Sequence, residues 1–400
     1  MNARPRTPAG VVATSVVATV LVALPSCLLG ALGLVMRTDL GFSAAELGFT
    51  VGTFFLASAL TSLASGRLAL AEFLGARPSI FVGIVVTVAV LVYVAGFATN
   101  WVQIAIALGI VGLANGLVQP GANLAIARHV PGERMGLALG VKQAALPVAT
   151  LIAGLAVGFL ALLGDWRAAW WIGAALAGVF VVVAFVVAPR ASLRFGAPRP
   201  VDGGRRRLAG HRPSASLLRA TLASILASIG ANAMRVFFIE SAVHRGEELA
   251  TAGFLLAAAS IVGIGTRLVG GWRSDRVPRD PYVSAAVLMI AGAVGYLLMA
   301  FVEGTPLLLL AAVLGISAGW GWSGLVQLGA VRAHPEAPGA VSSFVHFGGL
   351  FGNLLGPILF GLLLPAGLVL AWCIIAAVSA AGAVLLFVDV RLGRRSTSAP

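Results

Sequence analysis

Gly116-Leu117-Val118-Gln119 returns later in the chain as Gly324-Leu325-Val326-Gln327, and each copy is soon followed by Gly-Ala, at Gly121-Ala122 and Gly329-Ala330. Shortly after, Arg128 and Arg332 close the two apolar runs that hold these copies. Aligning those arginines sets Lys142 opposite His346. Apolar helices resemble one another by chance, but a four-residue identity with matched flanks points to an internal duplication. Two parallel repeats related by an axis along the membrane normal form a rocker-type transporter, with its site between the halves.

The rest of the chain fits that plan. Of its 400 residues 59% are hydrophobic and 10% charged, against roughly 25% charged in soluble domains. No soluble core of this length needs so much apolar side chain, so most of the surface must face lipid. A hydrocarbon layer about 30 Å thick takes about 20 residues at 1.5 Å each. Spans are predicted at Val11–Met36, Ala44–Gly66, Ile80–Thr99, Trp101–Ala127, Met135–Leu163 and Ala168–Ala188, then at Leu217–Ile239, Leu249–Gly271, Tyr282–Val302, Thr305–Val331, Ala340–Leu364 and Ala366–Val390. The runs are continuous, whereas barrel strands alternate, so the fold class is an all-α membrane protein of 12 transmembrane helices. Ser43 and Asn100 are placed to start helices, and Pro365 separates the last two. The expected division is residues 1–188 as one six-helix bundle, 189–216 as a linker and 217–400 as a second, pseudo-symmetric bundle.

The net charge of +13 would suggest a nucleic-acid partner in a soluble protein. Here the arginines fill short gaps between apolar runs, as topology determinants do, and no nucleic acid is expected. Counting them by side leaves Arg37, Arg167 and Arg245 opposed to all the other loop arginines. Both termini and the Arg-rich linker are therefore expected in the cytoplasm, with the chain in an inner (plasma) membrane. The linker is Pro- and Gly-rich and reads as a flexible tether. Arg4, Arg6 and the apolar run behind them resemble a secretory signal, but the run continues past Cys27 to Met36 and reads as an uncleaved first helix. Cys27 and Cys373 lack redox or metal spacing and read as small hydrophobes. Trp166, Trp170 and Trp171 fall at the outer edge of the sixth helix, where interfacial aromatics are expected.

Between the eighth and ninth helices stands Gly271-Trp272-Arg273-Ser274-Asp275-Arg276. It resembles the cytoplasmic signature of the major facilitator superfamily: Gly, three residues, Asp, then Arg. The six-plus-six layout extends that resemblance over nearly the whole chain. The matching loop of the first half departs from the pattern, with Leu68 for Gly, Glu72 for Asp and Phe73 for Arg, ending at Arg77. The resemblance implies that Asp275 sits against the start of the eleventh helix near Ala340 to Ser342, where the positive helix end favours an anion. It also implies that Glu72, Arg77, Gly271, Asp275 and Arg276 take part in gating. The family's antiporter signature, Gly-Pro in the fifth helix, is replaced by Leu146-Pro147; Gly356-Pro357 lies in the eleventh.

Polar side chains inside a membrane are costly and mark candidate cavities. Asn115, Gln119 and Asn123 recur every four residues on one stripe of the fourth helix. Ser323 and Gln327 repeat this in the tenth, with Trp320 one turn above. The seventh helix carries Ser224, Ser228, Asn232 and Arg235 on a similar stripe. Lys142 and His346, followed by Gln143 and Phe347, lie about 8 Å inside their boundary; Asn353 lies deeper. The resemblance implies that these helices line a central cavity. The alternatives are interhelical hydrogen bonds for the amides, snorkelling for Lys142, and for Arg235 an ion pair with Glu240, five residues on.

Lys142, Arg235 and His346 make the spans lean positive, and no Asp or Glu sits in the middle of one. A cation carrier would want a buried carboxylate. That absence favours an anionic or neutral solute, and an organic anion is the expected substrate; His346, whose unperturbed pKa is about 6.5, is the one side chain there suited to proton coupling, the alternative being a histidine simply packed between helices. Efflux of a drug or metabolite is the runner-up. A membrane-embedded enzyme would need a cluster such as His129, Glu133 and Arg134, which has no metal or nucleophile spacing. A transport-fold sensor is a fourth reading. No cofactor or metal is called for, no catalytic residue is assigned, and the fold requires no second chain, so a monomer in the lipid bilayer is expected.

Overall fold

The computed structural model describes residues 8–68, 76–131, 134–187, 214–274, 280–334 and 338–397. Among them are 12 helices long and apolar enough to cross a membrane. We number them α1 (Pro8–Leu40), α2 (Ala44–Leu68), α3 (Ala76–Phe97), α4 (Trp101–His129), α5 (Met135–Gly158), α6 (Trp166–Val187), α7 (Ala215–His244), α8 (Leu249–Ser274), α9 (Pro281–Phe301), α10 (Thr305–Ala333), α11 (Pro338–Leu363) and α12 (Leu368–Thr397). The face where α1 begins and α12 ends is called proximal, the opposite one distal. The ends fall close to those read from the apolar runs, because lipid thickness and caps dictate both. Ser43 and Glu46 cap α2 reciprocally, the Ser43 amide donating to Glu46 Oε2 at 2.6 Å and the Glu46 amide to Ser43 Oγ at 3.2 Å. Asn100 Oδ1 accepts from the Gln103 amide at 3.1 Å to start α4.

Two spans are irregular where the sequence reads as plain helix. In α5 the helix stops at Gln143 and restarts at Ala145. The cause is Pro147, whose ring displaces the carbonyl four residues back, that of Gln143. In α10 a π-helical stretch, Val313–Ala318, interrupts the α-helix. Such stretches rotate the following side chains and recur at functional sites.

Burial separates central from peripheral spans. The most apolar window of α7 is 83% buried and that of α1 72%, against 33% for α6 and 39% for α12. Thus α1 and α7 are central, and α6 and α12 face lipid. Within the first six spans α2 packs on α4, α3 on α4 and α6, and α1 on α4 and α5; within the last six α7 packs on α11 and α12, and α9 on α10 and α12. The main contacts across are α2 with α11, α5 with α8, and α1 with α7. Shifting every label by six exchanges the first two pairs and maps the third onto itself, as a two-fold duplication requires.

Glycine sets how near these pairs come. A Cβ on Gly48 of α2 would collide with the Pro357 carbonyl of α11. Gly154 of α5 and Gly253 of α8 face each other so closely that a Cβ on Gly154 would lie 2.9 Å from the Gly253 carbonyl. Both approaches are near the distal face.

Two expectations are corrected. Trp166 and Trp170 are buried inside the fold at 2% and 0% exposure, and only Trp171, 47% exposed, faces outward. Trp166 Nε1 donates to Asp39 at 2.9 Å, a bond to the end of α1 that holds the indole against the bundle. Glu240 does not pair with Arg235. Five residues place the two about 140° apart around a helix, and Glu240 instead binds Arg37 of α1 at 2.5 Å. Glu72, Asp275 and Arg276 lie outside the described residues, as do the side chain of Arg77 and most of the linker.

Candidate functional site

A line of polar side chains runs through the first six spans. Asn115 Nδ2 donates to Ser58 Oγ at 2.7 Å, Gln119 Nε2 donates to Asn115 Oδ1 at 3.1 Å, and Lys142 Nζ donates to Gln119 Oε1. One line of hydrogen bonds thus joins α2, α4 and α5 and ends on a buried ammonium. The four-residue spacing of Asn115 and Gln119 makes this line possible, since it stacks them on one helix face. Asn123, the third member of the stripe, is exposed and joins none of these bonds. Gln143 is half-buried. His346 of α11, the position equivalent to Lys142 in the second repeat, lies within its electrostatic reach.

The second-half wall is built around Arg235. Its Nε donates to Asn232 Oδ1 at 2.9 Å and its Nη1 to the Ser26 carbonyl of α1 at 3.0 Å, while its Nη2 is buried without a partner. Asn232 Nδ2 in turn donates to the Asn353 carbonyl at 2.6 Å, and Asn353 Oδ1 is left buried and unbonded. The guanidinium stands 5.9 Å from the ring centre of Phe55. Trp320 Nε1 donates to the Ala231 carbonyl at 3.1 Å, and Ser323 Oγ to the Trp320 carbonyl at 3.2 Å. Gln327 is half-buried.

A small cavity of about 10 Å³ lies between the two walls, lined by Leu146, Pro147, Thr150, Arg235, Arg267, Ile316 and Trp320. That is room for about one water. Sequence reading missed Arg267, counting it with the loop arginines. In the structure it is inside α8 and 9% exposed. The signal was present in its helical face: Gly253, Ala257 and Gly271 meet α5 on that same side, and the Arg267 carbonyl lies 2.8 Å from where a Cβ on Gly140 would be. Gly271, the first residue of the signature, packs against Gly136 and Gly140.

Among the described residues, no carboxylate pairs with Lys142, Arg235 or Arg267; the ion pairs are Arg37–Glu240, Arg167 with Asp39 and Asp165, and Arg219–Asp389. No group of His, Cys, Asp or Glu among them is arranged to hold a metal. A larger depression of about 740 Å³, lined by His244, Arg245, Glu303 and Gly367 among others, opens at the distal rim of the second half, away from the cleft.

The family profile of the Major Facilitator Superfamily matches residues 13–357, and the chain belongs to that family. Its fold is similar to that of a point mutant of the nucleoside transporter NupG, with a TM-score of 0.72 and 14% identity over 94% of this chain and 99% of that one. No curated protein sequence matches. Membership makes the protein a multi-pass secondary transporter of small molecules working by alternating access, and not an enzyme.

Proposed function

We propose that the protein carries a small organic anion through the cleft between residues 1–188 and 217–400, the two halves rocking about it while 189–216 tether them. The observation that carries this reading is the set of buried cations, Lys142, Arg235 and Arg267, without a carboxylate partner among the described residues. An uncompensated charge inside a membrane span is costly, and an anionic solute offsets that cost while it is bound. Asn115, Gln119 and Trp320 shape the walls, with Gln143, Asn232, Ser323, Gln327 and Asn353 around them; Asn123 stands at the margin. Proton coupling through His346 is part of the proposal because it is the one imidazole within the predicted apolar spans. Gating by Glu72, Arg77, Gly271, Asp275 and Arg276, a cytoplasmic proximal face in an inner membrane, and action as a monomer complete the proposal.

The test is flux in proteoliposomes with short carboxylates, a nucleoside and a lipophilic cation, with and without a pH gradient. Carboxylate flux should fall at least about tenfold in Lys142→Ala, as loss of a charged contact does. Flux of the cation or the nucleoside that is indifferent to Lys142→Ala overturns the reading.

A further inference from the structure

The geometry points to Arg267 and Arg235 as a paired guanidinium site for a compact dicarboxylate. This rests on the anion reading above and narrows it.

Arg267 is nine-tenths buried, lines the cavity, and has no hydrogen bond or ion pair from any described residue. A guanidinium presents five N–H donors in a planar fork and keeps its charge. The natural partner for such a fork is a planar two-oxygen anion held by two parallel bonds. Arg235 reaches the same cavity with its Nε and Nη1 taken, by Asn232 and Ser26, and its Nη2 open. One monocarboxylate would satisfy one fork and leave the second cation without a counter-charge. Two carboxylates on a short chain answer both, one against the fork of Arg267 and the other on Nη2 of Arg235.

The other walls set size and character. Leu146, Pro147, Ile316 and Trp320 suit a hydrocarbon spacer and disfavour a fully hydrated oxoanion such as sulfate. The cavity is closed down to about 10 Å³, so the ligand enters when the halves part, and because Arg235 and Arg267 line this one small space a short dicarboxylate suits it. Arg235 also spans the halves through Ser26. A carboxylate on its Nη2 thus touches the residue that ties α7 to α1.

The experiment compares succinate, butyrate, sulfate, a nucleoside and a lipophilic cation in proteoliposome counterflow with wild type, Arg267→Gln, Arg267→Lys and Lys142→Ala, each checked for monodispersity in detergent. Succinate should exchange at least about tenfold faster than butyrate or sulfate. Arg267→Gln should lower succinate exchange about a hundredfold, and Arg267→Lys, which keeps the charge but loses the fork, should recover part of it. If Arg267→Gln is not monodisperse, succinate against butyrate as stabilisers of purified wild type in thermal melting decides, equal shifts overturning the proposal. Butyrate or sulfate exchanging as fast as succinate overturns the dicarboxylate site but leaves an anion carrier. Succinate exchange untouched by Arg267→Gln yet lost in Lys142→Ala removes Arg267 and also leaves the anion reading. Exchange of the nucleoside or the cation alone sinks both.

Discussion

The arginines at the distal face and those in the cleft are the same residue in opposite circumstances. Arg37 is bound to Glu240 at 2.5 Å, Arg167 to Asp39 at 3.3 Å, and Arg245 donates to the Met299 and Ala300 carbonyls. These are the three that break the chain's charge bias, and each is tied to a structural partner. Arg235 and Arg267 have no carboxylate among the described residues, and Lys142, the chain's only lysine, has an amide. A cation with a fixed counter-charge closes a contact. A cation without one is available to a solute. On the proposed function, the Arg37–Glu240 and Arg167–Asp39 pairs would seal the distal face and the unpaired cations would meet the solute.

The sharpest way to break that contrast is to neutralise one member of each class. Arg235→Ala should reduce anion flux at least about a hundredfold, because it removes both a solute contact and the bond to Ser26. Arg37→Ala should leave solute affinity within about twofold. Equal losses of affinity in the two variants, read as KM and as ligand-induced thermal shift, would erase the distinction between sealing and receiving cations.

The seal itself comes next. Arg37 and Glu240 are 19% and 6% exposed, and removing one partner of a buried pair costs about 3–5 kcal/mol through the charge left behind. Glu240→Gln should therefore shift the protein away from the distally closed state. With Cys27 and Cys373 replaced by alanine, a cysteine at buried Met36 reports this. Its labelling by an impermeant maleimide should rise at least about tenfold over the Glu240 parent. The charge swap Arg37→Glu with Glu240→Arg should restore protection; unchanged labelling in Glu240→Gln would mean the pair does not hold the seal. Gly48→Val, which drives a side chain into the Pro357 carbonyl, should act in the same direction more weakly. Overpacking of this kind costs about 1–3 kcal/mol, and no gain in labelling would show that α2 and α11 can yield there.

What the sequence discloses is depth, and what it conceals is direction. Span positions were legible because the bilayer demands about 20 apolar residues, whereas the nearness of Lys142 to His346 was not, since equivalent places in two repeats need not meet. Arg267 was misread since a residue seven positions before the end of α8 can turn to the loop or to the cleft, and only the packing of α5 on Gly271 decides. Arg37 and Glu240 are 203 residues apart, with no local spacing to announce them. Trp166 and Trp170 look like interface residues until Asp39 and the neighbouring helices enclose them. The π-helical stretch that leads Ile316 and Trp320 to the cavity contains no Pro and has no composition of its own.

The smallest expected effect separates positions that the sequence could not rank. Asn115, Gln119 and Asn123 share one stripe, but Asn115 bridges Ser58 and Gln119, whereas Asn123 is exposed. Asn115→Ala leaves the Ser58 hydroxyl and one Gln119 donor buried and unbonded, at about 1–3 kcal/mol. It also loosens the amide that holds Lys142. Flux should drop several-fold with a lowered melting temperature. Asn123→Ala removes no bond and should change flux by less than about twofold, since surface substitutions away from such features fall within about 0.5 kcal/mol. A larger loss at Asn123 than at Asn115 would mean that the solute path leaves the cleft along the proximal end of α4. The chain of amides ending on Lys142 would then be a structural brace and not the wall of the route.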